Sequence, residues 1–475
     1  MTSTETYTRR WWALGLVSLA QFLIILDTSI IGIALPEIRI ALGFSESSLQ
    51  WVFNAYVIAL GGLLLLGGRL SDLFGARRLF AAGFAILIAA SLLAGLAWSD
   101  AILVVGRALQ GLGAALIAPA ALALVFRLFT TPAELGKAMG IWGAAAPAGG
   151  TAGVFLGGVI TEWISWRWTF LINVPVDILV LTATPSLLPP VHGRRGRVDV
   201  AGALSATAAL SLAVYAIVTA NNRGWSSAGT ILYLAGAGVL IGVFVALQAR
   251  RRDALVPLRI FVTPNLAAAN AVMLLLGAAW IPMWFYLNLY LQQVLGFGAF
   301  ESGAALLPMT IAIMVLMVGV TARLVSRVGF KRPLVTGLLT LAVGMLMLGR
   351  LPVGGSFAAD VLGASLLAAL GMSLSYIPAL LASLSAAKPE ETGLASGIVN
   401  TSYQIGSALG LAAMTAIALA ATDGARVADV NDGFHAAFVG AAVIAAAAAA
   451  LAVVAIRSPR IDVAEATEVP VEQAA

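Results

Sequence analysis

The chain alternates between long apolar runs and short polar stretches along almost its whole length. Apolar runs of about 20 residues are long enough to cross a bilayer as an α-helix. A transmembrane β-barrel would instead show short segments of alternating polarity, and the sequence has none. The pattern predicts an all-α membrane protein with fourteen transmembrane helices, at residues 11–35, 49–66, 79–98, 101–125, 138–160, 168–188, 200–220, 230–248, 266–291, 303–321, 333–349, 359–382, 395–420 and 435–456.

Composition supports a membrane protein and removes several other classes. Of the 475 residues, 61% are hydrophobic and 10% are charged, and the mean hydropathy is +0.99. Soluble domains do not reach this composition. There is no cysteine, which excludes disulfides and thiolate metal sites, and we expect no metal and no cofactor. A GxxxxGK(S/T) loop is absent, which excludes an ATP-driven pump and, with the composition, an ordinary enzyme.

The basic residues are divided unequally between alternate loops, and this division predicts the orientation. The opposite loops hold only Arg39, Arg167, Arg223, Arg350 and Arg426, whereas most of the other lysines and arginines share one set of loops and tails. Cytoplasmic loops carry the excess of basic residues. We therefore expect a multi-pass cell-membrane protein with both termini in the cytoplasm. The net charge of +5 does not indicate nucleic-acid binding, because it lies in these short loops.

Two stretches of the chain repeat at nearly the same offset. Residues 67–78 (GGRLSDLFGARR) resemble residues 322–332 (ARLVSRVGFKR), with Arg69 matching Arg323 and Gly75 matching Gly329. The glycine pattern of residues 138–153 returns at residues 395–410. Repetition in the same sense predicts two parallel, pseudo-symmetric six-helix halves. The offset leaves room for two inserted helices, so the predicted units are 1–190, 191–262 (the inserted helices), 263–460 and a disordered cytoplasmic tail, 461–475.

Several motifs together resemble the fourteen-span drug–proton antiporter family of the major facilitator superfamily. They are LDTSIIGIALPEI (26–38), GGRLSDLFGARR (67–78), GRALQGLGAA (106–115), GGTAGVFLGG (149–158), SWRWTFLINVP (165–175), YLQQVLGF (290–297) and ASGIVNTSYQIGSALGLA (395–412). The resemblance implies multidrug efflux and antibiotic resistance. It is imperfect, because Val154 stands where the family usually has proline, and Asp177 where it usually has a small residue.

Three charged residues lie well inside predicted spans. Asp27, Arg107 and Asp177 each sit roughly 10–13 Å from the outer end of their helix, at the helical rise per residue. A charge within a span is costly unless it is paired or hydrated. We interpret the three as a proton-coupling site, with a structural ion pair as the alternative. Desolvation favours a neutral carboxyl and a nearby arginine favours the charged one, so movement between environments can bind and release a proton. Substrate competing for that carboxylate would produce antiport.

Two further groups of residues have expected roles in gating. The basic loop between the second and third spans is interpreted as a cytoplasmic latch, with topology alone as the alternative; its residues are Gly68, Arg69, Asp72, Gly75, Arg77 and Arg78. The antiporter motif of the fifth span has a face of small residues that allows close helix contact, consisting of Gly149, Gly153, Gly157 and Gly158. We expect this face to seal the two halves against Gly406 and Gly410.

Aromatic and amide side chains inside the spans are candidates for the substrate cavity, since aromatic rings can hold lipophilic or cationic compounds. An interfacial aromatic belt is the alternative for those in the ninth span. The candidates are Gln21, Asn54, Tyr56, Trp280, Trp284, Tyr286, Tyr376, Asn400, Tyr403 and Gln404.

These observations lead to three functional hypotheses. The first is a proton-coupled antiporter that exports lipophilic compounds, including cationic ones, by alternating access. The second assigns the same machinery to one endogenous metabolite or lipid. The third is a non-transporting membrane sensor, which would not need Asp27 and Arg107 at matched depth. The expected partners are a small lipophilic substrate, protons and the bilayer, with a monomeric chain and no nucleic acid.

Overall fold

The computed structural model describes residues 3–129, 132–190, 199–251, 254, 256, 258–262, 265–385 and 392–457. All regular secondary structure in these ranges is helical, which confirms the predicted all-α class. The α-helices are α1 (Ser3–Leu42), α2 (Glu46–Leu49), α3 (Trp51–Phe74), α4 (Ala76–Gly95), α5 (Asp100–Leu128), α6 (Pro132–Trp163), α7 (Trp168–Leu171), α8 (Asn173–Leu187), α9 (Val200–Arg223), α10 (Ala228–Arg250), α11 (Leu266–Gln293), α12 (Ala299–Val315), α13 (Ala322–Val328), α14 (Lys331–Leu348), α15 (Leu362–Leu384), α16 (Thr392–Ala420) and α17 (Val427–Ala455). A 3-10 turn spans Leu258–Val262, and π-helical segments span Leu316–Thr321 and Phe357–Val361. The tail at 461–475 lies outside the described residues.

Among the described residues, 13 helical segments are long and apolar enough to cross a membrane. Helix α3 is also largely apolar, from Trp51 to Leu66. It continues beyond the end predicted at residue 66. The polar residues that follow stay helical up to Gly75, whose φ of 91° ends the helix in a conformation that favours glycine.

Successive helices run in opposite directions, so their ends gather at two faces. We call the face where α1 ends the distal end, and the face where α1 begins the proximal end. At the distal end, Arg167 Nη2 donates to the Ala97 carbonyl at 3.0 Å. At the proximal end, Arg77 Nη1 donates to the Leu188 carbonyl at 3.2 Å. These side chains join the ends of helices that are distant in the sequence.

The helices form two groups of close neighbours. Helices α1 to α8 pack among themselves, and we call them the first bundle; α11 to α17 likewise form the second bundle. The bundles meet mainly where α6 packs on α12, α3 on α16 and α1 on α11. On the distal side of this boundary, the amides of Asn288 and Gln292 donate to the carbonyls of Gly32 and Ile33 respectively, the second at 3.2 Å. The distal side is therefore closed.

The two helices between the bundles, α9 and α10, are not equivalent. Helix α9 packs against both α3 and α16, whereas α10 packs on α9 and leaves most of its surface exposed. Their proximal ends are joined by Asp199, which is buried. The Asp199 carboxylate accepts hydrogen bonds from Gln248 Nε2 at 2.7 Å and Arg251 Nη1 at 2.5 Å. These bonds hold α9 and α10 as one hairpin beside the bundle boundary.

The glycines of the antiporter motif make a different contact from the one expected. A Cβ on Gly153 would lie 2.8 Å from the Leu26 carbonyl, and one on Gly157 would lie 2.7 Å from the Ile30 carbonyl, both on α1. Gly149 likewise lies against α1, while Gly406 and Gly410 lie against α11. The expectation that Gly149, Gly153 and Gly157 face Gly406 and Gly410 is wrong, because glycines spaced four apart bring two backbones together, and these two groups do so inside their own bundles. Gly158 does lie between the bundles, since a Cβ on it would lie 2.8 Å from the Ala299 carbonyl of α12.

The predicted latch lies at the proximal end, between α3 and α4. Gly75 and its repeat partner Gly329 both have positive φ, 91° and 74°, and both follow a helix C-terminus. Arg77 is half-buried through its bond to Leu188, and Arg78 is exposed. Gly68 and Arg69 are half-buried on α3. The Asp72 side chain lies outside the described residues, so its predicted part in the latch stays a prediction.

Candidate functional site

A buried ion pair lies at the centre of the first bundle. Arg107 Nη1 on α5 lies 2.8 Å from Asp27 Oδ2 on α1, and both side chains are almost completely shielded from solvent. Burial of such a pair costs solvation that the pair itself recovers only when other hydrogen bonds complete it. The sequence had predicted the common depth of these residues, and the structure brings them into direct contact.

Side-chain amides complete the coordination of Asp27. Its Oδ1 accepts hydrogen bonds from Gln110 Nε2 at 3.0 Å and from Asn173 Nδ2 at 3.1 Å. Gln110 also donates to Ser91 Oγ at 3.0 Å, which fixes the amide. Three helices, α1, α5 and α8, therefore supply the groups around one carboxylate. Any rotation of these helices relative to one another would change its partners.

Arg107 is held as tightly as the carboxylate it faces. Its Nε donates to the Val52 carbonyl at 2.9 Å, and its Nη1 donates also to Gln110 Oε1 at 2.9 Å. The guanidinium lies 4.5 Å from the centre of the Tyr56 ring, a cation–π distance. Its Nη2 has no hydrogen-bond partner among the described residues. The arginine thus holds a fixed position and keeps one free donor.

Asp177 is the third acidic or basic residue of the predicted coupling site, and its surroundings differ from those of Asp27. It is fully buried on α8, one turn after Asn173. Neither carboxylate oxygen has a hydrogen-bond partner among the described residues. It lies within electrostatic range of Asp27. An ionised carboxylate buried without a partner is costly, and taking up a proton would remove that cost.

Sequence reasoning missed two residues of this centre, Gln110 and Asn173. Both lie in quoted motifs, and helical spacing could have identified them. Gln110 is three residues after Arg107, and Asn173 is four residues before Asp177, so each shares a helix face with a charged neighbour. Nothing in the sequence indicates that Val52 would provide its carbonyl, because that contact depends on how α3 packs beside α5.

The predicted cavity residues separate into distinct places. Tyr376, Asn400 and Tyr403 form one cluster in the second bundle, where the Tyr376 hydroxyl donates to Asn400 Oδ1 at 3.1 Å. The Tyr376 and Tyr403 rings are perpendicular, with centres 5.5 Å apart. Gln404 on the next position of α16 packs against Gly61 of α3. This cluster lies beside the boundary between the bundles, where a substrate path is expected.

The other cavity candidates lie elsewhere. Tyr56 and Asn54 are buried in the first bundle, Tyr56 against Arg107 and Asn54 with its amide 3.3 Å from Gln50 Oε1. Gln21 is half-buried on α1. Trp280 is buried in α11, and the Trp284 ring packs on Gly32 at the closed distal boundary. Tyr286 packs on Phe434, with ring centres 5.4 Å apart.

A small pocket opens at the distal end, away from Asp27. It lies between α11, α16 and α17 and is lined by residues including Arg39, Tyr286, Gln293, Thr415 and Phe434. The cluster around Tyr376 does not line it. In the described part of the chain, no group of three or more metal-binding side chains comes together.

Comparison with known proteins places the chain among membrane transporters. The sequence profile of the Major Facilitator Superfamily matches residues 17–411. The chain is 38% identical to the cephamycin export protein of Amycolatopsis lactamdurans, over 92% of this chain and 91% of that protein. It is 37% identical to the puromycin resistance protein of Streptomyces alboniger, over 87% of this chain and 83% of that protein.

Solved structures show the same fold at low sequence identity. A D-xylose–proton symporter superposes with a TM-score of 0.68 and 14% identity, covering 94% of this chain and 98% of that one. The POT family transporter PepTSo superposes with a TM-score of 0.67 and 15% identity, covering 92% of this chain and 98% of that one. At this identity the likeness concerns the fold alone.

Proposed function

The chain belongs to the Major Facilitator Superfamily, as its motifs predicted, and from this premise we propose that it is a proton-coupled antiporter that exports lipophilic small molecules. It is a membrane transporter and not an enzyme. The proposed mechanism is alternating access, in which a central site opens first to one side of the membrane and then to the other. The substrates are proposed to include cationic drugs and antibiotics.

The observation that carries the proposal is the buried centre around Asp27. A carboxylate held by Arg107, Gln110 and Asn173 is stable when ionised only while these donors surround it. Opening toward the outside, with α1, α5 and α8 moving relative to one another, would separate some donors from Asp27 and admit water, and the carboxyl would then take up a proton. Rotation back would restore the arginine contact and release the proton inward. Asp177 would be the second group able to hold that proton.

The second bundle supplies the proposed substrate contacts. Tyr376, Asn400 and Tyr403 present aromatic faces and one amide beside the boundary between the bundles. Aromatic faces bind lipophilic rings and stabilise cations without a full negative charge. Substrate entering this space from the cytoplasm would favour release of the proton from Asp27, because substrate binding and proton release both take place in the conformation whose distal side is closed.

We propose the finer topology on the same basis. Fourteen spans follow if α3 crosses the membrane with the 13 other long apolar segments. The first and second bundles would be the two pseudo-symmetric halves, with α9 and α10 inserted between them. The proximal end would be cytoplasmic, with both termini there and the basic loop at residues 67–78 acting as a latch in a monomeric chain. The matching positive φ of Gly75 and Gly329 supports the duplication.

The names of the relatives support export over the hypothesis of a non-transporting sensor. The cephamycin export protein and the puromycin resistance protein are each named for one compound. That favours keeping a dedicated exporter as the second candidate. The two candidates differ only in how many compounds the cavity accepts.

The decisive experiment uses purified protein in liposomes with a pH-sensitive dye inside. A panel of lipophilic cations and neutral antibiotics is added, and substrate-induced proton movement is recorded with and without an uncoupler. We expect proton movement with several compounds, and loss of uphill export in the uncoupler. Asp432→Asn, at a side chain that is 72% exposed, is the matched control for loss of one carboxylate. Proton movement with only one compound of the panel would favour the dedicated exporter. Substrate transport without proton movement would overturn the proposal that transport is coupled to protons.

A further inference from the structure

At the distal end, a carboxylate of one bundle caps a helix of the other. Glu162, in the last turn of α6, accepts a hydrogen bond from the backbone N–H of Ala299 at 2.8 Å. Ala299 is the first residue of α12. The first backbone donors of a helix have no partner inside it, and the positive end of the helix dipole favours an anion. Glu162 therefore stabilises α12 across the boundary.

Helix α12 also has a cap of its own, which allows a direct comparison. Glu301 Oε2, within α12, accepts from the Gly298 N–H at 3.2 Å. Glu301 thus acts inside the second bundle alone. Glu162 acts on the adjacent donor from the first bundle, so its bond exists only while α6 and α12 stay together at their distal ends.

The packing beneath Glu162 shows that its hydrogen bond lies at the boundary between the bundles, which must open on the distal side. The Phe300 ring of α12 stacks on Trp163 with centres 5.0 Å apart and lies 6.0 Å from Phe155. Deeper along the same boundary, a Cβ on Gly158 would lie 2.8 Å from the Ala299 carbonyl, and one on Gly303 would lie 2.7 Å from the Val154 carbonyl. Distal opening would separate these contacts and break the Glu162 bond.

The charges around Glu162 leave it without a cation. Elements packed against α6 carry Glu37 and Arg39 on α1, Asp100 at the start of α5, Arg167 before α7 and Glu301 on α12. Within the described chain, no basic side chain forms an ion pair with Glu162. The nearby Glu37 carboxylate repels it. Glu162 is exposed, so protons from the distal solvent reach it directly.

We infer that Glu162 is a proton-binding residue of the distal gate, separate from Asp27, which holds the gate closed when ionised and loosens it when protonated. A protonated carboxyl is a weaker acceptor for the Ala299 N–H and loses its attraction to the helix dipole. Acid at the distal face would thus favour opening. The inference rests on the proposed function in one respect, since the distal face must be the outer, proton-rich side for this step to admit protons to Asp27.

The test measures opening without measuring transport. Because the chain has no cysteine, the substitutions Trp98→Cys and Val353→Cys provide the two positions at which spin labels attach. These residues are 72% and 49% exposed and lie at the distal end of the first and second bundles. Distances between the labels in nanodiscs are recorded across acidic to neutral pH in an Asp27→Asn background, which removes the central site.

We expect acid to increase the long-distance population in the parent protein. Glu162→Gln should show that population already at neutral pH, with the open fraction raised about tenfold and little further response to acid. Glu301→Gln, the matched control, should respond to pH like the parent. Gly298→Ala places a Cβ 2.8 Å from the Glu162 carboxylate, so it should loosen the gate while leaving a residual pH response.

Two results would overturn the inference. One is an unchanged pH response in Glu162→Gln, and the other is an equal effect of Glu301→Gln, which would indicate helix capping alone. Failure of the proposed function would look different, because proton movement in liposomes would be absent while the label distances still responded to pH.

Discussion

The centres of the two bundles share a scaffold and differ in chemistry. In the first bundle, α6 crosses α1 at Gly149 and Gly153, and in the second, α16 crosses α11 at Gly406 and Gly410. The first bundle encloses Asp27, Arg107 and Asp177. At the same positions in the chain order of the second bundle, α11 and α15 contain no acidic or basic residue, and α17 carries Asp429, Asp432 and His435 only near its distal end. The helices on one side of the boundary therefore carry buried ionisable groups at their centre, and those on the other side carry neutral aromatic groups.

Under the proposed function, the first bundle would exchange protons and the second would bind substrate. A carboxylate that exchanges a proton needs donors that can be rearranged, and the first bundle provides them from three helices. A surface that binds varied lipophilic compounds works best without a fixed charge, whose burial against a neutral ligand would be costly. The predictions below alter one bundle at a time, so that each shows whether the two functions are separable.

The largest effect is expected from Asp27→Asn. The amide keeps the shape but has one acceptor oxygen in place of two, and it cannot exchange a proton, so uphill export should be lost while downhill exchange persists. Each 100 mV supplies about 2.3 kcal/mol per translocated charge, so roughly fiftyfold accumulation per charge should disappear. Proton movement and efflux in liposomes measure this, with Asp432→Asn as the control. Normal proton movement in Asp27→Asn would remove Asp27 from the coupling site and transfer that role to Asp177.

Arg107→Ala should destabilise the first bundle as well as stop coupling. It leaves the Asp27 carboxylate buried without its cation, which typically costs about 3–5 kcal/mol. Thermal unfolding in detergent measures the loss. Adding Asp27→Asn to Arg107→Ala should recover part of the stability, because no uncompensated charge remains. No recovery in the double variant would mean that Arg107 acts through Tyr56 and Val52 rather than through the ion pair.

Gly149→Ala and Gly406→Ala test whether the two bundles share one scaffold. In each, the new methyl group would press on a backbone carbonyl of the neighbouring helix, and overpacking of this kind costs about 1–3 kcal/mol. We expect similar losses of thermal stability in both variants. Gly15→Ala, where a Cβ meets no atom within 4 Å, is the control. A loss confined to one bundle would contradict the shared-scaffold interpretation.

Asp177→Asn is expected to have a smaller and more informative effect. If Asp177 exchanges protons with the Asp27 centre, the variant should still transport but with a shifted pH optimum. If it is a second independent site, the number of protons moved per substrate should fall instead. Measuring proton and substrate flux together across pH separates the two results. An unchanged profile and an unchanged ratio would leave Asp177 with a structural role only.

The smallest effect is expected from Tyr376→Phe in the second bundle. It removes the hydroxyl that donates to Asn400 but keeps the ring, and one neutral hydrogen bond is worth about 1 kcal/mol, or roughly fivefold in affinity. The loss should fall on polar or cationic substrates and spare neutral ones. Competition binding with both kinds of compound measures it. A change in proton movement without substrate would contradict the division between the bundles.

The class of the molecule and the identity of its charged residues could be predicted from the sequence. Long apolar runs require helices in a membrane, and charges are so scarce inside the spans that Asp27, Arg107 and Asp177 stand out without a structure. Glycine spacing also predicted close helix crossings. These features are local, since each follows from the residues of a single span.

Which groups meet could be read only from the folded structure. It brought Gln110, Asn173 and the Val52 carbonyl to the ion pair, left Asp177 without a partner, and placed Glu162 at the start of α12. It also showed that Gly149 and Gly406 face α1 and α11 rather than each other. Helical period tells which residues share a face, but the neighbour of that face depends on how helices from distant parts of the chain pack together.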